Sequence, residues 1–264
     1  MTEFFNNVKA EGYKLKNLTG IHISNAITTI ICIIGAILTY KFMNWNRGIW
    51  VDGGNDAGTI DEILGVSQGM STGVFASVGV LILMISAASI AGHEYKTKTH
   101  IITRLYCPSK LYEFGSKLTV SLLYTYAWTF IMLTAGFIVA KIYGPDSFTS
   151  HYNLFTDNWG QYGKYLLMVT IYVLLIHGIT FLVRSNLMAV IIMIVYTTFV
   201  ETAIVFVPKV GSVVSDWLPI RSINNLLSFS ADADPAWYIS GLVVVAYVAL
   251  VYGGGCFVEG RRDA

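Results

Sequence analysis

The sequence predicts an all-α membrane protein forming one domain over residues 1–264. It should have six transmembrane helices, an amphipathic interfacial helix at residues 2–18 and a short helix in a cytoplasmic loop at residues 93–117. Three observations predict this. The chain is 55% hydrophobic and only 12% charged, with a mean hydropathy of +0.60, whereas a soluble domain carries about 25% charge. Six apolar runs approach the length of about 20 residues that a bilayer crossing needs. Basic residues also sort unevenly between alternate loops.

The six runs are Ile21–Met43, Thr72–Ala91, Leu118–Tyr143, Tyr165–Val183, Leu187–Val207 and Trp237–Val258. The first reads as a span and not as a cleaved leader, because polar and amphipathic residues precede it and no small-residue cleavage site follows. With the N-terminus inside, the inner side holds Lys9, Lys14, Lys16, Lys96, Lys98, Arg104, Lys110, Lys117, Arg184, Arg261 and Arg262. These are eleven of the seventeen basic residues. The bias favours a multi-pass protein of the cell membrane with both termini cytoplasmic. Trp45, Trp50, Trp159, Trp217 and Trp237 fall in or beside the outer loops, where indoles favour the headgroup level.

Ahead of the first span, Phe4, Phe5, Val8, Tyr13 and Leu15 interleave with Lys9, Lys14 and Lys16. That pattern predicts a helix lying on the inner surface, its lysines facing anionic headgroups of the lipid bilayer. The connection Arg184–Ser185–Asn186 reads as a tight turn. Net charge is +1, and no basic stripe with interleaved aromatics occurs, so nucleic acid is not an expected partner. Cys32, Cys107 and Cys256 show no spacing for a disulfide framework or a zinc site.

The most polar stretch is GHEYKTKTHIITRLYCPSK, Gly92–Lys110. Thr99 is placed to cap a short helix, and Cys107, preceding Pro108, is pushed out of helical geometry and ends it. On that helix Ile101, Ile102, Leu105 and Tyr106 share one face, while His100, Thr103, Arg104 and Cys107 share the other. Four apolar residues on a two-turn helix in a polar loop need something to pack on. The inner ends of the spans and another protein are the two candidates.

Glu94-Tyr-Lys-Thr-Lys-Thr99, Leu105-Tyr-Cys-Pro-Ser-Lys110 and Lys117 together resemble the loop between spans two and three of ABC-2 type exporter permeases. The Trp217–Leu227 segment, WLPIRSINNLL, is similar to the one before the last span in that family. The resemblance implies that the short helix is a coupling helix docking into a separate ATP-hydrolysing subunit. Glu94, Thr99, Ile101, Ile102, Arg104, Leu105, Tyr106, Pro108 and Lys110 would carry that coupling, with Glu94 anchoring the end of span two. Many members have Gly immediately before the threonine, and Lys98 in its place speaks against a very tight turn. It also implies two ATP-binding subunits and a second permease, identical or related. ATP and Mg belong to the partner, and this chain holds no cofactor. The sequence contains no GxxxxGK[ST] phosphate loop.

Glu201 is the only acid well inside an expected span, about 22 Å from its inner end at 1.5 Å per residue. Thr197, Thr198 and Thr202 make the neighbouring surface polar. An intramembrane acid is a functional-site candidate, here a pathway wall, an outer-gate contact or a helix-packing group. His177 lies at a different depth, as a helix-packing histidine bonded to a neighbour. Gly65–Gly69 matches G-x-S-x-G but lacks the strand that a nucleophile elbow needs, and Gly253–Gly255 reads as close packing or a loose helix end. The expected function is a permease that exports an amphipathic substrate such as a peptide, toxin or antimicrobial. A membrane-embedded hydrolase and a non-transporting sensor or scaffold are the alternatives.

Overall fold

The computed structural model describes residues 2–52, 75–99, 110–143, 159–207, 214–228 and 235–262, and among these every regular element is a helix. In chain order they are α1 (Thr2–Asn17), α2 (Thr19–Asp52), a π-turn (Phe75–Gly79) leading into α3 (Val80–Thr97), α4 (Lys110–Tyr143) and α5 (Trp159–Val183). Then come α6 (Asn186–Val195), a π-turn (Tyr196–Val200) and α7 (Glu201–Val205). After a 3-10 turn (Ser215–Trp217), α8 (Pro219–Ser228) and α9 (Trp237–Val248) follow, and a π-turn (Ala249–Gly253) joins α9 to α10 (Gly254–Arg262).

Five of the described helical stretches are long and apolar enough to cross a membrane: Thr19–Phe42, Lys110–Tyr143, Trp159–Val183, Asn186–Val205 and Trp237–Arg261. The chain thus has the long apolar helices of a multi-pass membrane protein. The expected second span, Thr72–Ala91, is helical from Phe75 onward. It does not stand among the five because α3 is 18 residues long and ends in the polar sequence GHEYKT. The expected helix over His100–Cys107 lies outside the described residues, as does Gly65–Gly69.

Two compact units are distinguished. Residues 19–83 and 126–166 form one. In it Ala36 and Tyr40 of α2 pack on Val139 and Ala140 of α4. The Tyr162 ring stacks on Phe130 at 5.1 Å and meets Phe137 edge-on, and its hydroxyl lies 2.8 Å from the Thr134 hydroxyl. The other face of α2 exposes Ile23, Ile27, Ile30, Ile34 and Leu38, a stripe at helical spacing that suits acyl chains.

The other unit comprises residues 1–18, 84–125 and 167–264. Its apolar centre joins Ala91, Phe114 and Phe181, with Tyr95, Tyr252 and Cys256 against them. Here α5 and α10 touch backbone to backbone. A Cβ on Gly178 would lie 2.5 Å from the Val251 carbonyl oxygen, and one on Gly255 would strike the Gly178 carbonyl. Gly253 and Gly254 have open space around them, so of the three glycines only Gly255 serves close packing. Small residues that let backbones approach are the usual means of helix association in lipid.

The connection between α5 and α6 is the tight turn that the sequence predicts. Arg184 takes φ 55°, its N–H donates to the Thr180 carbonyl at 2.8 Å, and the Ser185 hydroxyl accepts from Met188 N–H to cap α6. Gly178→Ala and Gly255→Ala should each destabilise the purified chain by about 1–3 kcal/mol, measured as thermal unfolding in detergent. Gly254→Ala, whose Cβ meets nothing, should instead stabilise by about 0.5 kcal/mol.

Candidate functional site: an ionic cluster at the loop stems

The end of α3 turns sharply. Lys98 takes φ 56°, and Thr99 N–H donates to the Glu94 carbonyl at 3.1 Å. A left-handed residue after the helix with a bond from the next N–H back to the last turn is a Schellman ending. The expectation drawn from Lys98 is therefore corrected, since the tight turn forms without glycine. A lysine there costs about 1–2 kcal/mol in backbone strain. The Thr99 hydroxyl lies 2.8 Å from that of Thr97, which also donates to the His93 carbonyl at 3.2 Å. These contacts belong to the end of α3. Of the coupling residues the sequence predicts, Ile101, Ile102, Arg104, Leu105, Tyr106 and Pro108 lie outside the described residues. Lys110 opens α4 and donates to the Gly260 carbonyl of α10.

Glu94 does not stand alone. Its carboxylate accepts from Lys117 Nζ of α4 at 2.8 Å and from Lys14 Nζ of α1. Lys117 donates again to Glu113 at 2.7 Å, and Lys14 to Glu11 at 2.8 Å. Three carboxylates and two ammoniums thus meet where α1, α3 and α4 converge. The sequence places Lys14 toward headgroups, but the structure turns it to Glu11 and Glu94. The inward side of α1 runs through Phe4, Val8, Glu11 and Leu15 at helical spacing, and the Phe4 ring meets Tyr112 edge-on at 6.2 Å.

The cluster is dry. Lys117 is 1% exposed, Glu94 3% and Glu113 4%. Burial alone would raise the Glu94 carboxyl, but the Lys117 and Lys14 ammoniums outweigh it and hold it down at about 2. Burial raises Glu11 in spite of its lysine neighbours. For Lys14 burial pulls the other way, yet its acidic partners raise it. Oε2 of Glu113 has no hydrogen-bond partner among the described residues. One turn along α4, Ser121 Oγ lies 3.0 Å from His177 Nε2, so His177 is bonded to a neighbouring helix as the sequence predicts.

Glu201 forms a second polar site. α8 begins with Pro219, whose missing N–H is harmless at a helix start, but the preceding Leu218 has no side-chain acceptor to cap it. Glu201 supplies one from α7. Its carboxylate accepts from Ile220 N–H at 2.8 Å, and the Arg221 N–H and Tyr196 hydroxyl also bond to it. Glu201 is 7% exposed. Beside it lies a cleft of about 530 Å³ lined by Thr197, Thr202, Arg221 and Asn224 among others. Thr198 is exposed and lies outside that lining, offering its carbonyl to the Thr202 hydroxyl. A further buried acid, Glu259, accepts from Arg184 Nε at 2.7 Å. Among the described residues no group of three His, Cys, Asp or Glu could hold a metal ion.

The Glu94 carboxyl falls from 4.5 to about 2. Its contribution to stability is therefore fully present above pH 4.5 and is lost as pH falls through about 2. Glu94→Gln should flatten the acid limb of thermal stability and cost about 3 kcal/mol at neutral pH. Lys117→Ala should cost more, since it leaves Glu113 without a counter-charge among the described residues and Glu94 with that of Lys14. At the second site, Glu201→Leu should speed amide exchange at Ile220 and Arg221 and destabilise by about 1–2 kcal/mol. Glu201→Gln, which keeps an acceptor, should lose only about 0.5 kcal/mol of charge–dipole attraction. Compared with models of known protein families and with functionally curated proteins, the chain matches none.

Proposed function

We propose that the chain is the transmembrane permease subunit of an ATP-driven ABC-2 type exporter. In this reading two such chains, or one with a related permease, form the pathway. Two separate ATP-binding subunits, which hold ATP and Mg, dock on the loop between α3 and α4. Six spans, cytoplasmic termini and an α1 lying at the membrane surface complete the arrangement.

The observation that carries this reading is the convergence of both loop stems on one buried ion cluster. Glu94 comes from α3, and Glu113 and Lys117 come from α4. A loop whose two stems are locked together passes a displacement of its tip to both helices, whereas loosely joined stems would absorb it. The Lys98 turn fixes the direction in which the chain leaves α3. A resident loop that merely held topology would need basic residues, but not a dry clamp between its ends.

The cargo is an amphipathic molecule, a peptide, toxin or antimicrobial. The cleft beside Glu201 supports that choice because Thr197, Thr202, Arg221 and Asn224 face it together with Val205, Phe206 and Ile220. The test is co-purification with a stand-alone ATP-binding subunit, to be sought among the products of neighbouring genes. Replacing Ile101, Ile102 and Leu105 together by Asp should abolish co-purification while membrane insertion stays intact. Normal recovery of the ATP-binding subunit with that variant would overturn the proposal.

A further inference from the structure

A cavity of about 550 Å³ lies where α3 ends and the α5–α6 turn begins, lined by Tyr95, Lys96, Arg184, Ser185, Asn186 and Leu187. The geometry points to this cavity as a binding site for the phosphate headgroup of an anionic phospholipid. The site requires only that the chain lie in a membrane and is independent of what the chain exports.

Its lining is almost entirely donors. Lys96 is exposed, and its ammonium has no hydrogen bond or ion pair among the described residues. Arg184 donates from Nε to Glu259 and adds its positive charge to the lining. The side-chain acceptors are already engaged: Asn186 Oδ1 accepts from Leu187 N–H at 2.9 Å, and Ser185 Oγ accepts from Met188 N–H at 3.4 Å. No carboxylate lines the cavity. Counting the buried Glu259 against Lys96 and Arg184 leaves one net positive charge, and a monoanionic phosphodiester matches it.

Position and shape favour a lipid over a free anion. The turn joins two helices that are each long enough to cross a membrane, so the cavity sits at the boundary where headgroups lie. From its edge, Leu187 (66% exposed), Met188 (47%) and, one turn on, Ile191 (43%) run along α6. They offer an apolar track for an acyl chain beginning at the phosphate. Basic residues at such a boundary attract anionic headgroups by about 1 kcal/mol each.

The test uses the full chain in zwitterionic phosphatidylcholine nanodiscs, with its thermal midpoint followed as phosphatidylglycerol is added. Phosphatidylglycerol should raise the midpoint saturably. Lys96→Gln should need about five-fold more of it, the change that one basic residue's attraction makes. Lys96→Arg should behave like the unaltered chain, as should Lys9→Gln on α1. Lys96 has no described partner to lose, so the Gln variant should melt normally before lipid is added. An unchanged requirement in Lys96→Gln would overturn the assignment. So would an equal rise from added phosphatidylcholine. An equal rise from inorganic phosphate at the same concentration would also overturn it, by identifying a site for free anions and not for lipid.

Discussion

The buried ammonium of Lys117 constrains everything around it. An ion removed from water costs several kcal/mol, and only close, well-aligned counter-charges offset that. Glu94 and Glu113 provide them at 2.8 and 2.7 Å. Each of those carboxylates must in turn be fixed in place. Glu113 is held by helical register, four residues before Lys117 on α4. Glu94 is held by the abrupt end of α3 and by Lys14, which ties in α1. An apolar replacement of the whole cluster could be as stable, but it would not define one register between three helices. Directional charge pairs define one, and a loop that must transmit movement needs fixed stems.

The helices were legible in the sequence wherever a run was both long and uniformly apolar, as in Trp159–Val183. The Arg184–Asn186 turn was legible too, since a short polar interruption between two apolar runs leaves little else. The cluster was only half visible. Glu94 stood out within the polar stretch and Lys117 at the far end of the loop, and Glu113 with Lys117 has the i, i+4 spacing of a helical ion pair. Glu11 stands three residues before Lys14, a spacing for a helical ion pair, but nothing local tied it to α3 and α4. It lies among lysines on a helix whose pattern reads as a surface element, and its importance comes from packing against segments about 80 residues away. Glu259, at the end of the last helix, was hidden for the same reason.

Glu201 shows a different limit. Its presence in an apolar run marked it as unusual, but its partner was the backbone of a helix that begins 18 residues later. A helix start with Leu before Pro carries no written request for a cap, and nothing local says which side chain will answer it. Lys98 is a milder case. A rule that prefers glycine in left-handed backbone is an energetic preference of about 1–2 kcal/mol, and the turn's hydrogen bonds together with Glu94's pairing exceed it.

The π-turn at Tyr196–Val200 gives Glu201 a further dependence. A π-turn is in effect one residue inserted into an α-helix, and each residue turns the helix by about 100°. Deleting any one residue of that turn would restore a straight helix and leave every side chain chemically intact. It would nonetheless swing Glu201 by about a quarter of a circle relative to α6, away from the start of α8. The identity of the acid and its aim are thus encoded separately, the first by one codon and the second by the length of the segment before it. A related chain could keep Glu201 and yet lose the contact through a single-residue deletion.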